Sequence, residues 1–275
     1  MRVRWLTLGL LACGPASPAV CLGEAETCAS SLPDLTLLAT HNAMSNAEDG
    51  WFAPNQAVGI EAQLAAGVRG LLIDVYPGEA AGDPLRLCHG YCEAGSRDLA
   101  DALGGIRDHL VTNSGEIVVL ILEEHAPADD IAAAFVAADL DDLAMDADDV
   151  RDWPSVGDLV AADRRLLVTS EGSTFGRWYH DFWAIGQDTP YTFSGPEDLS
   201  CAPNRGGEGN PLFLVNHWFG RPFPSPELAT DANGSLVDRV AACEAERGQR
   251  ANLVAVDFFD LGPDPSAFGR RSSAE

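Results

Sequence analysis

Two histidines, each closing a short apolar run, are the residues of this chain best suited to acid–base chemistry. His41 ends Leu37-Leu38-Ala39-Thr40 and is followed by Asn42; His89 follows Leu87-Cys88 and precedes Gly90. An unperturbed imidazole titrates near ~6.5, so one ring can be neutral while another is charged near neutral pH. Placed about one phosphodiester, the neutral ring takes a proton from an attacking hydroxyl and the charged ring gives one to the leaving oxygen. The amide of Asn42, beside the first ring, can hold a metal.

Other polar residues stand in the same kind of position. Residues 35–39, 70–75, 85–88, 117–122, 165–169, 211–216 and 252–257 read as strands. Asp74 lies near the end of the second, Glu123 and Glu124 end the fourth, His217 follows the sixth and Asp257 ends the last. Most of these runs are continuously apolar, as expected of a parallel sheet covered on both faces. Residues 60–66, 99–112, 128–138 and 235–247 read as helices. Pro127 suits the start of the third, where its missing N–H costs nothing. Leu103, Ile106, Leu110 and Val111 are expected on one face of the second. This alternation of strand and helix predicts an α/β fold, with a TIM-type (β/α)8 barrel, irregular or incompletely closed, as the first choice. Residues 172–209 are too polar and glycine-rich to resolve a strand. Barrel enzymes collect catalytic groups at the C-terminal ends of their strands. In a barrel the last strand lies beside the first, which brings Asp257 towards His41.

A chain of 275 residues suits one such barrel, and 46% hydrophobic residues supply a core for it. The formal charge is −25 and all 17 basic residues are arginine. That balance repels nucleic acid and gains nothing from anionic lipid headgroups. The first 25 residues read as an export signal: a basic Met1-Arg2-Val3-Arg4, an apolar stretch from Trp5 to Ala12, then small residues. Leu10-Leu11-Ala12-Cys13 resembles a bacterial lipobox, which would leave Cys13 lipidated and the protein anchored; ordinary cleavage between Ala16 and Ala25 is the alternative. Either route places the protein outside the cytoplasm, secreted or periplasmic, as a single domain over residues 33–275. Apart from Cys13, the six cysteines form an even set suited to an oxidising compartment. The expected pairs are Cys88 with Cys92, closing a tight loop around His89, and Cys201 with Cys243. No second close cysteine pair or nearby histidine completes a zinc set.

Thr40-His41-Asn42, the run from Gly67 to Asp74, Cys88-His89-Gly90 and Ile121-Leu122-Glu123-Glu124-His125 together resemble the X-region of phosphatidylinositol-specific phospholipase C, in order and spacing, over roughly residues 33–145. The rest of the chain, including Tyr191 to Asp198 and Asn216-His217, resembles a secreted branch of PLC-like phosphodiesterases. The resemblance implies a TIM-type barrel and a phosphoric diester hydrolase acting through a cyclic phosphate. It implies His41 as base and His89 as acid, with Asp257 orienting His41 through the ring's other nitrogen. Asn42, Asp74 and Glu123 match three positions that hold calcium in the calcium-dependent members, and oxygen donors suit that ion. Leu72 stands where those members often place another acid. Two histidines together with these carboxylates favour catalysis over the structural role a lone histidine usually has.

Arg69 is a candidate for the substrate phosphate, with a salt bridge at the barrel base as the alternative. Trp51 and Phe52 could dip into a lipid interface or pack over the rim. Trp178, Tyr179, Phe182 and Trp183 could line the pocket or form a satellite core. The expected partner is a phospholipid or soluble phosphodiester, met by a monomer in transient contact with a membrane surface. A non-catalytic extracellular binding protein on the same barrel is the rival reading. A glycerophosphodiesterase-like or sphingomyelinase-like activity fits less well, because those enzymes open on His-Arg rather than on His41-Asn42.

Overall fold

A computed structural model of the protein describes residues 20–80, 82–220, 223–264 and 268. The export segment through residue 19, with Cys13, and residues 269–275 lie outside the described residues. In chain order the elements are β1 (Leu37–Thr40), α1 (Ile60–Ala65), β2 (Gly70–Tyr76), β3 (Arg86–Leu87), β4 (Arg97–Asp98), α2 (Leu99–Thr112), β5 (Val118–Glu124) and α3 (Ala128–Ala137). They continue with α4 (Asp149–Asp152), α5 (Val156–Ala161), β6 (Leu166–Ser170), β7 (Tyr179–Asp181), α6 (Phe182–Ile185), β8 (Gly186–Asp188), β9 (Leu212–His217), α7 (Pro226–Asn233), α8 (Leu236–Arg247) and β10 (Leu253–Val256).

Eight strands run parallel in the order β7-β6-β5-β2-β1-β10-β9-β8, and the two ends, β7 and β8, do not pair with each other. The sheet curls into an irregular, incompletely closed TIM-type barrel. First and last strands are neighbours, in the register Leu37↔Leu253 to Thr40↔Val256.

Strand side chains alternate between two faces, and that alternation builds the site. Leu38, Leu71, Ile73, Val75, Leu120, Leu122, Val168, Val215, Val254 and Val256 share one apolar cluster with Leu64, Leu99, Leu103, Ile106 and Leu110 of the surrounding helices. The intervening residues Leu37, Ala39, Val119, Ile121, Leu167, Leu214, Leu253 and Ala255 fill the barrel interior. Extending each inward file by two residues gives His41, Asp74, Glu123, Glu171, Asn216 and Asp257. These six interior files therefore change from apolar to polar at the same end of the barrel.

Several expectations need correction. Residues 85–88 do not form a barrel strand: β3 pairs antiparallel with the end of β2 and with β4, so His89 rides on a short excursion above the mouth. The stretch from 172 to 209 holds two barrel strands, β7 and β8, each of three residues and too short to leave a periodic signal. Val111 is 57% exposed, not part of the buried face of α2. Disulfides join Cys88 to Cys92 and Cys201 to Cys243, as expected, and also Cys21 to Cys28.

Candidate active site

The polar ends of the interior files surround a cavity of about 190 Å3 lined by His41, Asn42, Leu72, Asp74, Glu123, Glu171, Tyr191, Arg205, Asn216 and Trp218. His41 follows β1 and Asp257 follows β10, one step beyond the Thr40↔Val256 pair. His41 Nδ1 lies 2.9 Å from Asp257 Oδ1. With the carboxylate accepting from Nδ1–H, the lone pair of the neutral ring is on Nε2. The arrangement is held from several sides. Trp218 stacks on the His41 ring at 3.8 Å, almost parallel. Asn55 Nδ2 donates to Asp257 Oδ1 at 3.0 Å, and Gln56 Nε2 donates to the carbonyls of His41 and Val256. Asn233 of α7 donates to the Asp257 carbonyl. Asp257 is buried, and its Oδ2 has no partner among the described residues.

His89 faces His41 across the cavity mouth, with ring centroids 6.5 Å apart. Asn42, in a left-handed backbone conformation, sends its amide between them: Nδ2 lies 3.1 Å from His41 Nε2 and 3.4 Å from His89 Nε2. The loop carrying His89 is closed by the Cys88–Cys92 disulfide and leans on Trp51. A Cβ on Gly95 would lie 2.4 Å from the Trp51 ring, so the close approach requires glycine there. Partial burial, and then the charge on His41, hold the His89 pKa below the usual histidine range, although Glu123 and Asp257 pull it up.

Asp74 and Glu123 are register partners on adjacent strands. Burial, then Glu123 and Glu171, push the Asp74 pKa well above the usual carboxylate range. Among the described residues no basic side chain pairs with it. Asn42, Asp74 and Glu123 share the cavity with His41, and their oxygens suit a hard cation, which would offset the mutual repulsion of the carboxylates. Glu123 Oε1 also lies 3.0 Å from His125 Nε2. Leu72 presents a hydrocarbon where the interior file could have carried a further acid. Accordingly, no three His, Cys, Asp or Glu side chains among the described residues already converge on one point.

Arg69 is not at the site. It precedes β2 at the opposite end, where Nε bonds Glu116 at 2.6 Å and NH1 donates to the carbonyls of Leu64 and Val68. The cavity's guanidinium is Arg205, from the loop between β8 and β9, held by Glu171 and Asp188. A Cβ on Gly206 would lie 2.1 Å from the Gly186 carbonyl, so this loop could press onto β8 only with glycine there. Nothing in its composition marked Arg205. Glu171 and Trp218, by contrast, are legible once the inward file is counted two residues past Thr169 and Asn216.

The other singled-out residues take structural places. His217 is buried and donates Nε2–H to the Ala232 carbonyl at 2.7 Å. His125 stacks on Tyr76, and Glu124 accepts from the Tyr179 hydroxyl. Tyr179 and Phe182 are core, whereas Trp183 lies under the Arg205 guanidinium. Trp51 is buried over the rim; Phe52 is 68% exposed.

A barrel with two histidines, a buried carboxylate behind one of them and a carboxylate-lined cavity defines a class of phosphodiesterase-like proteins. The PI-PLC X family model (PI-PLC X 1) matches residues 27–268, so the chain belongs to this family. A PI-PLC X domain-containing protein of Arabidopsis thaliana is 29% identical over 290 aligned positions, covering 90% of this chain and 64% of the relative. An uncharacterized secreted protein of Arthroderma benhamiae is 22% identical and covers 90% of this chain and 62% of its own length. The chain thus spans somewhat less than two thirds of these relatives. The fold is that of the phosphatidylinositol-specific phospholipase C from Listeria monocytogenes (TM-score 0.59, 18% identity, 88% of this chain and 93% of that one). A Staphylococcus aureus phosphatidylinositol-specific phospholipase C is similar (TM-score 0.60, 14% identity, 83% and 87%).

Proposed function

We propose that this protein is an exported phosphoric diester hydrolase that cleaves a phosphatidylinositol-like substrate with His41 as base and His89 as acid. The observation that carries the reading is the His41–Asp257 bond set opposite His89 in a PI-PLC X barrel. His41 Nε2 takes the proton of a substrate hydroxyl beside the phosphate, and that oxygen attacks phosphorus. His89 protonates the departing oxygen and a cyclic phosphate forms. Water then opens the ring with the two roles exchanged. Asp257 holds the His41 tautomer and stabilises its charged form. Asn42 lies between the two rings where the phosphate would enter, and its side-chain oxygen would be a donor to a cation if one is bound.

Calcium is the expected cofactor, held by Asn42, Asp74 and Glu123; when bound it would neutralise phosphate charge beside the two histidines. Export is supported by the three disulfides, which suit an oxidising compartment. No helix among the described residues is long and apolar enough to cross a membrane. Contact with a membrane surface is supported by Phe52 and Phe223, whose exposed rings meet at 5.9 Å in loops following β1 and β9, and by Tyr91, 80% exposed beside His89. Chain charge argues against nucleic acid, and a monomer suffices to complete the cavity.

The second reading, a binding protein on the same barrel, rests on Leu72 and on the engagement of Glu123 by His125. The test is a panel of phosphodiesters assayed with calcium and after thorough chelation. Hydrolysis of phosphatidylinositol that chelation abolishes supports both parts of the proposal. Undiminished hydrolysis after chelation removes calcium alone, and no hydrolysis of any diester favours the binder.

A further inference from the structure

The neighbours of His41 constrain it in different ways. Gln56 bonds the carbonyls of His41 and Val256, which fixes the main chain. Trp218 lies flat on the imidazole and fixes its plane. Neither tells one ring nitrogen from the other. Asp257 does, through Oδ1 at 2.9 Å from Nδ1.

The carboxylate of Asp257 has a freedom of its own, rotation about its last side-chain torsion, whose energy wells are broad. Oδ2 is buried with no partner among the described residues, so the partners of Oδ1 must fix that rotation. Among the described residues they are two: the ring of His41 itself and Asn55 Nδ2, at 3.0 Å. A base cannot by itself hold the group that is meant to orient it. Asn55 is therefore the outside support.

Asn55 is buried in the loop after β1, and its main chain is anchored on both sides. Its N–H donates to the Ser45 carbonyl at 3.0 Å, and its own carbonyl accepts from Phe258 N–H at 2.7 Å. Phe258 has a φ of +43°, a left-handed conformation that is costly for a bulky residue and persists only where the surroundings impose it. This turn, directly after Asp257, aims the Phe258 N–H at Asn55. One residue thus grips the exit of β10 twice, Phe258 through its carbonyl and Asp257 through its amide.

The orientation of the amide carries the argument further. Nδ2 lies 3.4 Å from His41 Nδ1. With Nδ1–H directed at Asp257, these are two donors converging on one oxygen. Turning the amide over would set Asn55 Oδ1 against a carboxylate. The observed orientation leaves that Oδ1 buried without a partner among the described residues, which is unfavourable in itself. A charge-assisted bond to Asp257 outweighs the loss.

We infer that Asn55 is a positioning residue of the base: its amide locks the Asp257 carboxylate with Oδ1 towards His41 and so keeps the neutral ring in the tautomer whose lone pair is on Nε2. The inference rests on the phosphodiesterase reading above and adds to it a residue that acts only through Asp257. Without the lock the carboxylate pivots, and the ring is free to carry its proton on Nε2. That tautomer has no lone pair to offer the substrate hydroxyl.

The experiment is a double-mutant cycle on hydrolysis of phosphatidylinositol in phosphatidylcholine vesicles, with Asn55→Ala, Asp257→Asn and the two combined. Asn55→Ala should lower kcat about tenfold and leave KM within about twofold. In the Asp257→Asn background it should change kcat by less than about twofold, because the group it acts through is gone. A role in packing alone would give the same tenfold loss in both backgrounds, and that result overturns the inference. Nitrogen-15 NMR of the neutral His41 ring reads the tautomer without any need for turnover. The unmodified protein should carry its proton on Nδ1, and Asn55→Ala should show a measurable share on Nε2. That shift without cleavage of any phosphodiester would remove the catalytic reading and keep the lock. An unchanged tautomer in folded Asn55→Ala removes the lock. Should Asn55→Ala not fold, the side-chain amide protons of Asn55 decide: one should move upfield from the unmodified protein to Asp257→Asn, and no movement overturns the inference.

Discussion

His41 and Asp257 are separated by 216 positions in sequence and by 2.9 Å between Nδ1 and Oδ1. The pairing of β1 with β10 produces this contact: the register matches Thr40 with Val256, and the next residue of each strand points inward. In the proposed mechanism Asp257 sets the tautomer of the base, so Asp257→Asn should lower kcat on a phosphodiester by about 100-fold or more while leaving KM within a few-fold. A comparable change in KM alone would show that the carboxylate serves binding.

The pH profile should carry the mark of His89. Its pKa lies below the usual histidine value because of burial and the charge on His41. A general acid must be protonated to act, so kcat/KM should fall on the alkaline side with a midpoint below ~6.5. Removing the basic neighbour should relax the shift: titrated by NMR, the His89 ring of His41→Ala should have a higher pKa than in the unmodified protein. An unchanged or lower value would contradict the electrostatic origin.

His217 should make folding sensitive to acid. Burial lowers its pKa to about 4, against ~6.5 for an unfolded histidine. Between those values the unfolded chain binds the proton and the folded one does not, so stability is lost as pH falls from about 6.5 towards 4, by up to roughly 3 kcal/mol. Denaturant unfolding of His217→Gln should show a shallower decline over that window. Parallel curves for the two proteins would contradict the assignment.

Gly95 should be intolerant of a side chain. Its Cα is covered by the Trp51 ring, and Gly95→Ala should cost on the order of 1–3 kcal/mol through displacement of that ring. Thermal unfolding measures the loss, and Trp51→Phe should restore part of it.

Phe52 and Phe223 should anchor the mouth at a lipid surface. Either residue changed to Ala should weaken partitioning onto neutral phosphatidylcholine vesicles by about tenfold, equivalent to ~1.4 kcal/mol of aromatic burial. Hydrolysis of a water-soluble phosphodiester should remain intact. Unaltered sedimentation with vesicles would rule out this surface as the contact.

The fold was legible where the chain is most apolar. Continuous runs such as Val118–Glu124 and Leu253–Val256 announce buried parallel strands, and the amphipathic period of residues 99–112 announces α2. Tyr179–Asp181 and Gly186–Asp188 did not, because three-residue strands at an unpaired barrel edge end in polar groups that their tertiary partners satisfy. In the candidate site, His41, Asn42, Asp74, Glu123 and Asp257 stand out because each lies at or just past the C-terminal end of an apolar strand. His89 stands out for the same reason, although its run proved to be an excursion from the barrel. Arg205 was hidden in a glycine-rich loop, and its place depends on Asp188, Glu171 and the aromatic rings around it. Arg69 misled because an arginine before a strand has no local feature that tells one barrel end from the other; Glu116 decides it.

The most direct test of the account compares the unmodified protein with His41→Ala and His89→Ala in hydrolysis of phosphatidylinositol, all three confirmed folded by circular dichroism. Each substitution should reduce kcat by at least about 1,000-fold, and the unmodified protein should release a cyclic inositol phosphate visible by phosphorus NMR. Equal rates in all three proteins would contradict acid–base catalysis by this pair.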